Sequence, residues 1–302
     1  MTDLPGDELL VDVAVRPTRG RLRDTVRRHT SLVFGGVLAG LFVLVGLVGL
    51  MLLAVPSLHH LYLHQDLAAS LKPPGTSGYP LGSDQLGRDV MWRIVAGTGV
   101  SLGIAAVVTT LSIVIGGAVG IVSGFYRGGA DVVLSAIVDI TWGFPIILFA
   151  VILAGVFAPG LTPVVLGVAL INWAGFARII RGDTLSLRER DFVRAGRAIG
   201  MSNPRIIRRH IIPNLMPATF VMASYYVAIT IIAESGLSFI GIGIQPPTPS
   251  LGQMIADGQN YWSNARWLVV EPGAALVLIV LGLNALGDGL RDLLDPRLRT
   301  RE

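Results

Sequence analysis

The sequence predicts an all-α polytopic membrane protein with six transmembrane helices and both termini in the cytoplasm, and three observations carry that reading. Of 302 residues, 52% are hydrophobic and only 15% charged, with a mean hydropathy of +0.65, where soluble domains carry about 25% charge. Six apolar runs (31–55, 100–125, 132–157, 161–180, 215–244 and 268–290) reach the roughly 20 residues that a helix needs to cross the hydrocarbon of a bilayer. The 24 Lys and Arg, all Arg except Lys72, divide unevenly across such a topology. Six precede residue 31, Arg127 follows the second run, nine lie between Arg178 and Arg209, and four close the chain. Twenty are therefore cytoplasmic, against Lys72, Arg88, Arg93 and Arg266 outside. This positive-inside bias orients the chain as a multi-pass protein of the cell membrane.

Composition also removes function classes. There is no cysteine, so neither disulfides nor thiolate chemistry are available. No Gly-Lys-Ser/Thr phosphate loop and no His-Glu-x-x-His motif occurs, so no catalytic residue is assigned and the chain is not read as an enzyme. The arginines flank apolar runs, which reads as topology and not as a nucleic-acid surface. The chain divides into a cytoplasmic tail (1–30), a first helix (31–55), an extracytoplasmic loop (56–96), a core of five helices (97–292) carrying a cytoplasmic loop (181–213), and a second tail (293–302).

In the first tail, Arg16, Arg19, Arg21, Arg23, Arg27 and Arg28 form a topology anchor suited to anionic headgroups. The first run is too long for a signal-peptide core and no small-residue cleavage site follows it, so it is expected to be retained. In the outer loop, His60 and His64 share a helical face beside His59, but only Asp66 could complete a metal site, so no metal is assigned. Pro73, Pro74, Gly75 and Gly78 mark turns. Asp84 and Asp89 alternate with Arg88 and Arg93, and such pairs, if exposed, contribute at most about 1 kcal/mol each.

The second run repeats a GxxxG spacing through Gly116, Gly120 and Gly124, a helix–helix face. The third carries Asp139, expected to pair with Arg178 or Arg181 or else to line a polar path, and Pro145, expected to kink the helix. The fourth ends at Arg178. The loop that follows reads as two short amphipathic helices broken at Ser202-Asn203-Pro204, with Ser202 as N-cap and Pro204 in the first turn. Phe192, Ala195 and Ile199, then Ile206, Ile207 and Ile211, recur at helical spacing. A loop that only had to stay wet would not need that stripe, which suits a membrane surface or a partner protein. Glu234, in the outer third of the fifth run, is placed to meet a substrate ammonium group or a neighbouring subunit. Gly236, Gly241 and Gly243 soften the end of that helix. Tyr261, Trp262 and Trp267 read as an interfacial belt. Asp288, Arg291, Asp292, Asp295 and Arg297 alternate in sign, as a solvated, self-paired helix end would.

Four blocks carry a family resemblance, the fourth being the charged end of the chain at 287–299. Leu81-Gly82-Ser83-Asp84-Gln85-Leu86-Gly87-Arg88-Asp89-Val90, followed by Arg93, Gly97, Ser101 and Leu102, is one. Ala195, then Gly200, then Ile212-Pro213, is the second. Glu234, Gly236, Leu237, Ser238, Phe239, Gly241 and Gly243, then Gln245, Pro246, Pro247, Gly252, Asp257 and Gly258, is the third. Together they resemble the C-type permease of dipeptide, oligopeptide and nickel ABC importers. The resemblance implies a type I ABC importer permease fold and ATP-driven import of dipeptides or oligopeptides. Nickel or metal-complex import is the alternative substrate class. An ATP-independent secondary transporter using Asp139 and Glu234 is the rival mechanism. It implies that Arg194, Ala195, Gly196, Ala198, Ile199, Gly200 and Met201 contact a cytoplasmic ATPase, and that Asp139, Glu234, Ser238 and Phe239 belong to the path or gate. The implied partners are a homologous second permease, two ATP-binding subunits, an extracytoplasmic substrate-binding protein and the lipid bilayer, with no nucleic acid. No cofactor is expected on this chain, ATP and Mg being used by the ATPase subunits. The chain departs from the family pattern where Arg194 replaces the usual Glu and Gly196 the second Ala.

Overall fold

The structure, a computed structural model, describes residues 30–294. The arginine cluster of the first tail, with Asp295 and Arg297, lies outside the described residues. Nine helices organise the rest: α1 (Thr30–Ala54), α2 (Val90–Tyr126), α3 (Gly128–Trp142), α4 (Ile146–Phe157), α5 (Leu161–Arg188), α6 (Asp191–Ala198), α7 (Ile212–Phe239), α8 (Leu251–Gln259) and α9 (Trp267–Leu294). Short helical turns fill parts of the outer loop, and Asn203–Ile206 runs through a π-helical turn, Ile207–Ile211, into α7.

Five of these segments are long and apolar enough to cross a membrane: α1, α2, α5, Asn203–Phe239 and α9. The third predicted span is not one kinked helix. It is a pair, α3 and α4, bent by 84° at the break, and taken as one broken span it brings the count to six. Pro145 has no N–H to continue the ladder and itself stands in extended geometry after Gly143 caps α3, so the chain fractures where a kink is expected.

The glycine spacing on α2 makes the contact it predicts. A Cβ at Gly116, Gly120 or Gly124 would lie under 3.0 Å from the carbonyl oxygens of Trp173, Ala177 and Arg181 on α5, so only glycine admits this approach. The same device seats α1, with Gly49 meeting Gly99 of α2 and Gly35 meeting the α9 backbone. Asn172 Nδ2 donates to Thr230 Oγ1 at 3.1 Å, joining α5 to α7 through a satisfied polar pair in an apolar interior. The outward faces of α1, α3 and α4 carry exposed large apolar side chains such as Leu44, Val132 and Val156, as lipid contact requires.

Helix α2 begins at Val90, ten residues before the predicted span. Asp89 caps it, accepting from the backbone N–H of Met91 (2.8 Å) and Trp92. The expected exposed ion pairs of the outer loop are instead buried. Asp84, Arg88 and Arg93 are 5%, 7% and 3% exposed, and one carboxylate, Asp84, serves both guanidiniums, at 2.6 and 3.4 Å. Asp84 also accepts from the N–H of Leu86 and Arg88. Trp267 is not only a belt residue, for its indole N–H donates to the Ser83 carbonyl and ties the loop to α9. The charged end of α9 also differs from expectation: among the described residues no ion pair joins Asp288, Arg291 and Asp292.

Candidate coupling surface and transport path

Arg188 ends α5 by folding back on α2, its Nη1 donating to the Phe125 carbonyl at 2.6 Å. Glu189 reaches across to Arg127 at 3.2 Å. The chain then turns into α6, whose two faces separate cleanly. Val193 and Gly196 face inward against Met201 and Ile206, within an apolar cluster that includes Phe125, Phe176, Ile180, Ile211 and Leu215. Arg194, Ala195, Arg197, Ala198, Ile199 and Gly200 face outward, with Met201 between the two environments. Ile199 is 78% exposed, a large apolar residue held into solvent on a polar helix. The predicted stripe is thus two stripes. Ile206 and Ile211 dock within the chain, while Phe192, Ala195 and Ile199 are left for something else.

The local geometry explains the sequence. Gly200 sits at φ +80°, just past the C-terminus of α6, with its N–H bonded to the Arg197 carbonyl and the Met201 N–H to the Gly196 carbonyl at 3.0 Å. These two bonds form a Schellman motif, and Met201 supplies its apolar plug. Ser202 stands in extended geometry before Asn203–Ile206 with Pro204 in the first turn, but its hydroxyl makes no capping bond, contrary to expectation. The helix it opens is also not a separate short one, because it continues into α7. Among the described residues Arg194 meets the carboxylates of Glu189 (3.7 Å) and Asp191 (4.0 Å), long contacts on an exposed surface. A Cβ on Gly196 would meet Met201 Sδ at 3.4 Å, an ordinary contact, so the site does not require glycine.

The second candidate group is split. Glu234 is 0% exposed. Its Oε1 accepts from Ser238 Oγ at 2.8 Å and its Oε2 from Ser101 Oγ at 2.7 Å, with Ser235 at 3.4 Å. Ser238 Oγ also accepts from the Ile244 N–H. Glu234 therefore joins α7, α2 and the loop before α8 through hydroxyls of its own chain. Ser238 is buried with it, whereas Phe239 is exposed at the end of α7. Gly241, at φ +83°, closes that end, the Ile242 N–H bonding to the Leu237 carbonyl. Asp139 lies far from this cluster, bonded to Arg178, one of the two expected arginines, and its side chain is 65% exposed. The other, Arg181, makes a two-pronged contact with Asp131 (2.6 and 2.8 Å).

Two features escaped sequence reasoning. Trp142 lies under the Arg178 guanidinium, 4.3 Å from its ring centroid, and Tyr226 stacks on Phe176 at 4.4 Å. Gly175 was the available signal, since a Cβ there would collide with the Tyr226 hydroxyl. In the outer loop, Asp257 of α8 faces the Asp84 cluster across a small pocket. Burial pushes its carboxyl above the usual range, and the nearby Arg93 partly opposes that. The loop histidines spend their rings on the chain: His59 Nε2–H donates to the Leu53 carbonyl and His60 Nδ1–H to that of Ser57.

Residues 116–300 match the family model described as binding-protein-dependent transport system inner membrane component. The dipeptide transport system permease protein DppC of Alkalihalophilus pseudofirmus is 33% identical over 287 residues, 95% of this chain and 92% of that protein. The glutathione transport system permease protein GsiD of Pectobacterium atrosepticum is 35% identical over 293 residues, 96% of this chain and 94% of that one. Among solved structures, an inward-facing form of the MetNI methionine ABC transporter matches with a TM-score of 0.57 at 21% identity, over 68% of this chain and 98% of that chain.

Proposed function

The chain belongs to the binding-protein-dependent transport system inner membrane component family, and on that premise we propose that it is the permease subunit of an ATP-driven importer of short peptides. It forms half of a translocation path and takes its energy from a separate ATPase. The observation that carries the coupling reading is α6. It is rigidly seated on the chain's own core through Val193, Gly196 and Met201, and it holds Ala195, Ala198 and Ile199 outward where none of the described residues covers them. A helix packed on one side and bare on the other transmits a partner's displacement as a lever, because packed contacts shift between discrete arrangements. The partner complement is a homologous permease, two ATP-binding subunits that use ATP and Mg, and an extracytoplasmic binding protein.

Closure of the ATPases displaces α6. Through the cluster around Phe125, Phe176 and Ile206, that movement reaches α2, α5 and α7 together. The chain's own residues supply no phosphate cradle, so its part is mechanical. Reconstituting the complex in proteoliposomes tests this. Uptake of a labelled dipeptide is expected to require ATP and to cease when the ATPase is inactivated. Uptake that proceeds without nucleotide would transfer the mechanism to a secondary transporter.

A further inference from the structure

A cleft of about 470 Å³ opens between α3, α5, α7 and α9, on the half of the molecule that carries the cytoplasmic arginines. Trp142, Tyr225 and Tyr226 wall it, and Asn284, Asp288 and Arg291 reach it from α9. Those three α9 positions are spaced by four and three residues, so one helical face delivers an amide, a carboxylate and a guanidinium in sequence toward the cytoplasm. The aromatic wall is deliberately fitted. Gly175 leaves the space that the Tyr226 hydroxyl and the Trp142 indole nitrogen occupy, and Arg178, held by Asp139, covers the Trp142 ring. Among the described residues, no hydrogen bond engages the Tyr225 or Tyr226 hydroxyls or the Asn284 amide, and no ion pair engages Asp288 or Arg291. An apolar pocket in the 300–1,000 Å³ range with a few convergent polar groups is the ordinary form of a small-ligand site.

We propose that this cleft is a transit subsite on the cytoplasmic half of the path that holds a short peptide by its free ends. Arg291 takes the terminal carboxylate, Asp288 the terminal ammonium, Asn284 and the Tyr225 hydroxyl the backbone amide, and the aromatic wall the side chains. Asp139 and Arg178 act as positioning residues, fixing the indole without touching the peptide. The inference rests on the peptide-importer reading and adds to it a place and a recognition chemistry.

The test uses the whole complex in nanodiscs, without the binding protein, and a dipeptide carrying a benzophenone side chain as photoprobe. Labelling is expected at Trp142, in the segment around Tyr225 and on α9. Free-acid Ala-Ala is expected to displace the probe at about tenfold lower concentration than its C-terminal amide, the effect of one charge-assisted contact. Arg291→Gln should erase that tenfold preference, and Asp288→Asn should erase the matching preference over N-acetyl-Ala-Ala. Labelling outside the cleft, or an unchanged preference in both variants, overturns the subsite. Dipeptide uptake is scored separately, in proteoliposomes that hold the same complex together with its binding protein. Uptake without cleft labelling refutes the subsite alone, and no ATP-dependent uptake refutes the peptide reading and the subsite with it.

Discussion

Asp84 shows how far one residue's role depends on its burial. Exposed, its two pairs would contribute little, but the structure gives one enclosed carboxylate to two enclosed guanidiniums. Asp84→Ala strands both cations, and a loss of about 3–5 kcal/mol is expected. Thermal unfolding of the purified protein should show it as a large fall in Tm, whereas the exposed Arg194→Ala should leave Tm nearly unchanged. Gly196 and Gly200, only four residues apart in sequence, make a second contrast. Gly196→Ala adds a methyl group where there is room and removes a helix weakener, a gain of about 0.5–1 kcal/mol. Gly200→Ala places a side chain at φ +80° and costs about 1–2 kcal/mol. Opposite shifts in Tm for the two variants are the expected result. The family resemblance puts Gly200 in the motif and Gly196 at a departure from it, but only backbone geometry separates the glycine that is required from the one that is not.

At the scale of elements, single local signals specify structure that combinations of weak signals do not. The GxxxG face and the break at Ser202-Asn203-Pro204 follow from spacing alone, and the structure has them. What was not legible arises where several weak signals act together. Pro145 alone predicts a kink, while Gly143, Phe144 and Pro145 together produce a fracture of 84°. Pro145→Ala restores the missing N–H and is expected to extend α3 toward α4. The native chain has no cysteine, so spin labels at Val132→Cys and Val156→Cys, both exposed, read this directly as a longer distance in the variant. The early start of α2 was hidden because Arg93 reads as a loop charge until its buried partner is known. The division of the amphipathic stripe was hidden for a related reason: periodicity shows which residues share a face, but not whether the chain itself covers that face. Gly120→Leu probes the packing that was legible. With the Ala177 carbonyl and the Ile180 side chain within 3.0 Å of a Cβ, α2 and α5 must separate, and the yield of monodisperse protein should collapse.

Over the whole molecule, polar groups are concentrated where the fold has work for them. The outer end is braced by the Asp84 cluster and by Glu234 with its three serines, which lock α2, α7 and the loop before α8 together. The cytoplasmic end is braced by Arg188 on Phe125 and by Arg181 on Asp131, and it leaves α6 half bare. On the proposed function an ATP-binding subunit would cover that bare face, and the seating of α6 would be the point where force enters. The most direct measurement is a disulfide-length cross-link from Ile199→Cys, introduced into the naturally cysteine-free chain, within the assembled complex. The account predicts a covalent product between this chain and an ATP-binding subunit, formed in a yield that changes with nucleotide. Free reaction of that cysteine with a water-soluble maleimide in the intact complex, with no cross-link in any nucleotide state, would contradict it.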